Sequence, residues 1–206
     1  MSDVLQAGRS RAYPLPRREV AKALLAGRGE ALVVAGLGAT NWDISAVGDR
    51  ADNFPLWGAM GGAAMLGLGL ALAQPGRRVL VLTGDGDLLM GLGSLATIAT
   101  QRPDNLALVA IDNESYAETG MQATATAGVV DLPGIARAAG FATVDSAVDE
   151  AGLARVLPLV HGGAGPVFIA IKVRLESLPL VMPPKDGAYL KDRFRLALLG
   201  PGAVAA

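Results

Sequence analysis

Short, almost uninterrupted apolar runs alternate along this chain with segments of helical spacing. The runs are ALVVAG at 31–36, RRVLVLT at 77–83, LALVAI at 106–111, FATVD at 141–145 and PVFIAIKV at 166–173. Strands with one wet face alternate apolar and polar positions, whereas short continuous apolar runs suit strands covered on both faces. Between the runs, the spacing predicts helices at Arg17–Ala26, opened by Pro16 and closed by Gly27 and Gly29, then across 62–73 and from Leu88 to Thr100. Further helices are expected at Leu132–Ala139, at Asp149–Val160 with an interruption or end near Pro158, and at Ala188–Leu199. Strands alternating with helices predict an α/β fold, a parallel sheet with helices on both faces. The segments 41–57 and 114–127 carry no period; the first reads as irregular and the second as a functional loop. Residues 1–17 read as a Pro-punctuated extended arm, 18–175 as the domain and 176–206 as a Pro-rich tail with a final helix.

The sharpest chemical signal lies at 84–113. An apolar strand runs into Gly84-Asp85-Gly86, a helix follows, and a second strand stops at Asp112-Asn113. Two glycines around an aspartate permit a sharp turn and a close backbone approach to a ligand. In a parallel sheet this βαβ unit places Asp85 and Asn113 at the carboxyl ends of two strands, on the same edge. Both offer oxygen to a hard cation, and the new helix start beside them favours phosphate. Without that spacing, Asp85 reads better as a turn or N-cap residue and Asn113 as a turn former.

Composition narrows the classes. The chain has 206 residues, 51% of them hydrophobic, and the mean hydropathy is +0.40. No apolar stretch is long enough to predict a membrane span. The longest, GAMGGAAMLGLGLALA at 58–73, reads as a tightly packed helix, inside the domain or at a subunit interface. Met1–Ser10 lacks the basic start and apolar core of a signal peptide, so a cytoplasmic location is expected. The absence of cysteine excludes disulfides, a thiolate nucleophile and iron–sulfur ligation. Net charge is −1 without a long basic run, which argues against a nucleic-acid partner. No G-x-G-x-x-G opens a βαβ unit with an acid beyond it, so a dinucleotide binder is disfavoured.

GDG followed at this distance by an Asn-containing pair resembles the signature of thiamine diphosphate enzymes, although Asp112-Asn113 stands where those families usually have Asn-Asn. The longer text, GDGDLLMGLGSLATIAT and then NLALVAIDNESYAETGMQAT, is similar to the sulfopyruvate and phosphonopyruvate decarboxylase group, over residues 30–175. The resemblance implies the thiamine diphosphate-binding fold and its diphosphate-side (PP) domain, with thiamine diphosphate and Mg2+ as cofactors. It implies the Asp85 and Asn113 side chains and the Ser115 carbonyl as metal ligands. Gly84, Gly86 and Asp87 would then turn about the diphosphate, with the N–H groups of Gly86 and Asp87 directed at it. Gly58-Ala59-Met60-Gly61 matches the family's G-S-M-G. This makes Met60 the apolar wedge that bends the cofactor and the Gly58 carbonyl the acceptor of its amino group. Gly38 and Thr40 would approach from the other side, and Tyr116 and Thr119, with Glu118 and Gln122, would belong to an active-site loop. Outside that resemblance, Met60 reads as core, Gly36–Thr40 as a plain connection and 114–127 as a solvated loop.

The resemblance further implies that no catalytic residue resides in this chain. The glutamate that activates the pyrimidine ring would come from a partner's pyrimidine-binding domain, and Glu118 is not that glutamate. His161 reads as a helix C-terminal histidine. The chain then looks like the small, β-type subunit of a two-subunit thiamine diphosphate- and Mg2+-dependent 2-oxoacid decarboxylase, active only with an α-type chain, most simply as α2β2. Helix 62–73 and loop 114–127 are the expected interface. Gly62 replaces a frequent histidine and Met121 a frequent glycine of the group, which leaves the 2-oxoacid open. The missing cysteines argue against a ferredoxin-dependent oxidoreductase. A carboligase or a 2-oxoacid dehydrogenase component would share the first steps. A non-catalytic, partner-stabilising subunit is the alternative from another class, and the retained Asp85 and Asn113 count against it.

Overall fold

A computed structural model describes residues 12–204. Its main sheet has six parallel strands in the order β2-β1-β3-β4-β8-β7. These are β1 (Leu32–Ala35), β2 (Asn53–Pro55), β3 (Val79–Gly84), β4 (Leu106–Asp112), β7 (Thr143–Ala147) and β8 (Val167–Lys172). A small antiparallel hairpin joins β5 (Ser115–Tyr116) to β6 (Gln122–Ala123). The central strands are apolar throughout because both of their faces are covered. Leu32, Val34, Val79, Val81, Leu106 and Leu108 point into one core, and Val33, Ala35, Leu80, Leu82, Ala107 and Val109 into the other. The first core is closed by α3 (Ala63–Ala73), α5 (Ser94–Gln101), α6 (Leu132–Ala139) and α8 (Gly187–Leu199), and the second by α1 (Arg17–Ala26), α2 (Ala39–Val47) and α7 (Glu150–Gly162).

After β1 the chain moves outward to β2, and after β3 it moves the opposite way to β4. The loops leaving β1 and β3 therefore diverge and open a crevice at the carboxyl ends of these strands, where open α/β sheets bind ligands.

Four local expectations need correction. The segment 41–57 is not irregular: α2 and β2 occupy much of it. α2 shows no apolar stripe because its buried face includes Asp43, ion-paired with Arg17 and Arg18. β2 is a three-residue edge strand ending at Pro55, a position where proline removes no ladder bond. The helix expected from Leu88 to Thr100 is split into α4 (Asp85–Met90) and α5 by Gly91-Leu92-Gly93. Gly91 packs backbone to backbone on Gly61, whose φ is +84°, and a Cβ on either glycine would collide with the other's main chain. The aperiodic 114–127 loop contains the β5–β6 hairpin and a 3-10 turn at Ala125–Ala127. Pro158 does not end α7, which continues to Gly162: the proline is on the solvent side while Val156 and Val160 anchor the inner face.

β7 spans Thr143–Ala147, shifted two residues toward the C-terminus from the expected 141–145 run. Of the N-terminal arm, residues 1–11 lie outside the described residues. Beyond them, the Leu15 carbonyl accepts from the Arg174 N–H at 3.0 Å. The C-terminal segment returns across the domain: Trp57 Nε1 donates to the Pro184 carbonyl at 2.8 Å, and Phe194 of α8 packs edge-on against Phe54 at 5.4 Å. Among the described residues no helix is long and apolar enough to cross a membrane.

α3 supplies a paired test of this packing. A Cβ on Gly67 would overlap Val81 of β3, whereas one on Gly69 meets open space. In the isolated chain Gly67→Ala is expected to lower stability by about 1–3 kcal/mol. Gly69→Ala should raise it by up to about 1 kcal/mol. Urea unfolding of the two variants checks the opposite signs.

Candidate functional site

The crevice between the β1 and β3 loops is a cleft of about 330 Å³. One wall is the turn after β1, where Gly38, with φ +96°, caps the start of α2 and Thr40 Oγ1 donates to the Gly36 carbonyl at 2.7 Å. The opposite wall is the Gly84-Asp85-Gly86-Asp87 turn. Met60 and Met90 stand at the rim, and Asn113, Ser115, Tyr116, Glu118 and Thr119 close the far side.

Strand register explains why the acids meet. Gly84 is level with Ile111, so Asp85, one residue on, comes level with Asp112. Asp112 is in turn paired in register with Lys172, and its Oδ2 lies 2.8 Å from the ammonium. Lys172 also reaches Glu114 at 2.7 Å, and Tyr13 donates to the same Glu114 oxygen at 3.2 Å. Burial, and after it the neighbouring Asp112 carboxylate, raises the Asp85 pKa to about 7. Burial opposes the charge of Lys172, but Asp112 and Glu114 outweigh it and its pKa is raised.

Asp87 performs a different task from its neighbour. Its carboxylate accepts from Thr83 Oγ1 at 2.5 Å and from the Gly61 N–H at 2.6 Å, tying the Met60 turn to the Gly84–Asp87 turn. Burial raises its pKa against those two bonds. A Cβ on Gly36 would collide with the Asp87 carboxylate, and one on Gly86 with the Tyr116 ring. Glu118 is held by Trp42, whose Nε1 donates at 3.0 Å, and Trp42 stacks edge-on against Trp57 at 5.4 Å. Left-handed backbone at Ala59, Glu114 and Met121 marks the loops around the cleft, a conformation costly for non-glycine residues and characteristic of functional turns.

Gly38, Thr40, Met60, Gly84, Asp85, Gly86, Asp87, Asn113, Ser115, Tyr116 and Thr119 all line this one cleft. Gly58 does not; it lies exposed on the adjacent turn. His161 is remote, its Nε2 paired with the Leu24 carbonyl at 2.8 Å. Sequence reasoning missed Arg17, the one basic residue on the cleft wall among the described residues, and the buried set Asp112, Lys172, Thr124 and Thr126. The single hint was a lysine at the end of an otherwise apolar strand.

Residues 42–171 match the family model described as thiamine pyrophosphate enzyme, C-terminal TPP binding domain. The chain belongs to the thiamine pyrophosphate enzymes. It is 39% identical over 163 residues to the sulfopyruvate decarboxylase subunit beta of Methanothermobacter thermautotrophicus, covering 79% of this chain and 84% of that protein. It is 36% identical over 197 residues to the phosphonopyruvate decarboxylase of Streptomyces viridochromogenes, covering 95% of this chain but 49% of that one. The fold is that of the solved benzoylformate decarboxylase from Polynucleobacter necessarius, with a TM-score of 0.67 at 19% identity, over 85% of this chain and 36% of the other. The chain thus spans about half of the phosphonopyruvate enzyme and about a third of the solved one.

The donor chemistry of this thiamine pyrophosphate-binding domain fits a magnesium–diphosphate group. Lys172 pairs with the buried Asp112 and Glu114, and among the described residues no basic side chain pairs with the buried Asp85 beside them, so the cluster is short of positive charge. Asp85 and Asn113 present hard oxygen atoms on the same cleft. No group of three His, Cys, Asp or Glu side chains converges as a metal set among the described residues, so the remaining oxygen ligands would come from the backbone, water and the diphosphate.

The wall residue Arg17 is buried, with Nε 2.5 Å from the wholly buried Asp43. Arg17→Met strands that carboxylate with only Arg18 at 3.3 Å. A loss of about 3 kcal/mol is expected in urea unfolding, and Arg17→Met with Asp43→Leu should recover most of it, since apolar replacement of both partners removes the stranded charge.

Proposed function

We propose that this chain is the small, β-type subunit of a thiamine diphosphate- and Mg2+-dependent 2-oxoacid decarboxylase. In this reading its cleft takes the cofactor's diphosphate end, and a separate α-type chain carries the pyrimidine-binding domain, most simply in an α2β2 assembly. The observation that carries the reading is the convergence of Asp85, Asn113 and Met60 on one cleft in a chain that covers most of a sulfopyruvate decarboxylase β subunit.

In this reading the Asp85 and Asn113 side chains and the Ser115 carbonyl hold the metal. Gly84 and Gly86 let the backbone approach the diphosphate, the N–H groups of Gly86 and Asp87 face it, and Gly38 and Thr40 close on it from the start of α2. Met60 supports the cofactor from below, its turn anchored by Asp87 through Gly61. Tyr116 and Thr119 order the loop over it. Bound there, thiamine diphosphate supplies an electron sink for the carbanion left when a 2-oxoacid loses CO2.

The chain's own acids argue for a partner. Among the described residues each carboxylate on the cleft wall has a hydrogen-bond partner: Asp85 has Thr124 and Thr126, Asp87 has Thr83 and Gly61, and Glu118 has Trp42. These engagements support the reading that the activating glutamate comes from a partner chain. Exposed Met60, Met65, Leu72, Met90 and Met121 form an apolar margin around the cleft and along α3, where the α-type chain would seat.

The test is co-expression with the α-type chain and a screen of 2-oxoacids for CO2 release. Activity is expected from the complex and not from either chain alone. Full decarboxylase activity from this chain by itself refutes the split site, and condensation products without net CO2-releasing turnover to the aldehyde would mark a carboligase. Asp85→Ala in the complex should lower kcat/KM at least about 100-fold, the size of a lost metal contact. With so few protein ligands, Mg2+ should bind the wild-type complex weakly alone and at least about 10-fold more tightly with saturating thiamine diphosphate, measured by calorimetry.

A further inference from the structure

We infer that Thr124 and Thr126 are positioning residues for the divalent cation: their hydroxyls fix one oxygen of Asp85 and leave the other for the metal. This rests on the reading of Asp85 as a metal ligand and extends it to two residues that do not line the cleft.

The geometry starts from the hairpin. The Thr124 N–H donates to the Glu114 carbonyl at 3.0 Å, closing the β5–β6 loop back onto the end of β4. The 3-10 turn that follows brings Thr126 beneath the same strand end. Thr124 Oγ1 lies 2.5 Å from Asp85 Oδ2, and Thr126 Oγ1 lies 3.2 Å from the same oxygen and 2.8 Å from Asp112 Oδ1. The two hydroxyls are 2.9 Å apart. Two hydroxyl hydrogens serve these acceptors, so Thr124 donates to Asp85 and Thr126 donates to Asp112, with its contact to Asp85 secondary. All four side chains are buried, from 2% exposure at Asp85 and Asp112 to 6% at Thr126.

Every side-chain donor to Asp85 reaches Oδ2. Oδ1 receives no side-chain hydrogen among the described residues, and Asp85 lines the cleft. The hydroxyl pair therefore fixes the rotation of the carboxylate. Lys172 fixes the other end of the chain of contacts, holding Asp112 at 2.8 Å and the Thr126 carbonyl at 3.3 Å. Hydrogen-bonded support of this kind behind a ligating carboxylate is worth about 10- to 100-fold in metal affinity.

The experiment titrates Mn2+ into the α–β complex with saturating thiamine diphosphate, following bound metal by electron paramagnetic resonance and fold by melting of the metal-free protein. Thr124→Val and Thr126→Val, which keep shape and remove the hydroxyl, should each raise the Mn2+ Kd about 10- to 100-fold. Thr126→Ser, which keeps the hydroxyl, should stay within about 3-fold of wild type. Folded valine variants with wild-type Kd overturn the proposal, as does a melting-temperature loss with no change in Kd. Where a valine variant fails to fold, Thr126→Ala and Thr124→Ala are read in the same way. Asp85→Asn separates the two levels: if it leaves Kd unchanged, the metal reading of the cleft fails, and if it weakens binding while the threonine variants do not, only the positioning role fails.

Discussion

The register of two parallel strands forces two carboxylates together. β3 and β4 end level with one another, and Asp85 and Asp112 have no freedom to separate without breaking the central ladder of the sheet. Both come within hydrogen-bond reach of the same threonine hydroxyl, so only a few ångströms divide them. At a separation of about 5 Å and an effective dielectric of about 20, two such charges repel by about 3 kcal/mol. Burial adds to the cost. A protein meant only to be stable would put apolar residues here, as it does lower on the same face of the sheet with Val81 and Leu108.

Much of the surrounding structure is arranged around that pair. Lys172 meets Asp112 because β8 lies in register beside β4, and its attraction is of the same order as the repulsion it offsets. Glu114 and Tyr13 extend the network to the N-terminal arm. The hairpin folds back so that its threonines donate inward rather than to solvent. Asp85 is left needing a positive charge from the cleft side, which a cation there would supply. The glycines serve the same end. Gly61 and Gly91 approach backbone to backbone, which splits the helix after the Gly84–Asp87 turn and lets Asp87 hold the Met60 loop against it.

The parts that sequence reasoning reached and the parts it missed divide along a physical line. Strands such as LALVAI were legible because a sheet covered on both faces needs apolar residues at every position. The cleft was legible because strand order puts Asp85 and Asn113 on one edge whatever the surrounding detail. α2 was not, because its burial is satisfied through Asp43 and two arginines distant in sequence, which leaves no apolar stripe to read. The split of α4 from α5 was hidden for a similar reason: the cause is Gly61, a tertiary contact. Thr124 and Thr126 sit in a stretch of small residues with no period, and their partners are Asp85 and Asp112, brought near only by the completed fold. Gly58 was placed on the cleft by its motif alone and lies exposed beside it.

The family places thiamine pyrophosphate in this domain, and the charge imbalance at the strand ends gives a physical reason for a metal there. A crystal of the chain with its α-type partner, grown with Mn2+ and thiamine diphosphate and measured at the manganese edge, tests that reason most directly. The account predicts a single anomalous peak in the cleft, at about 2.1–2.2 Å from oxygens of both Asp85 and Asn113. A peak elsewhere, or a diphosphate bound in the cleft with Asp85 still turned away from any cation, would contradict it.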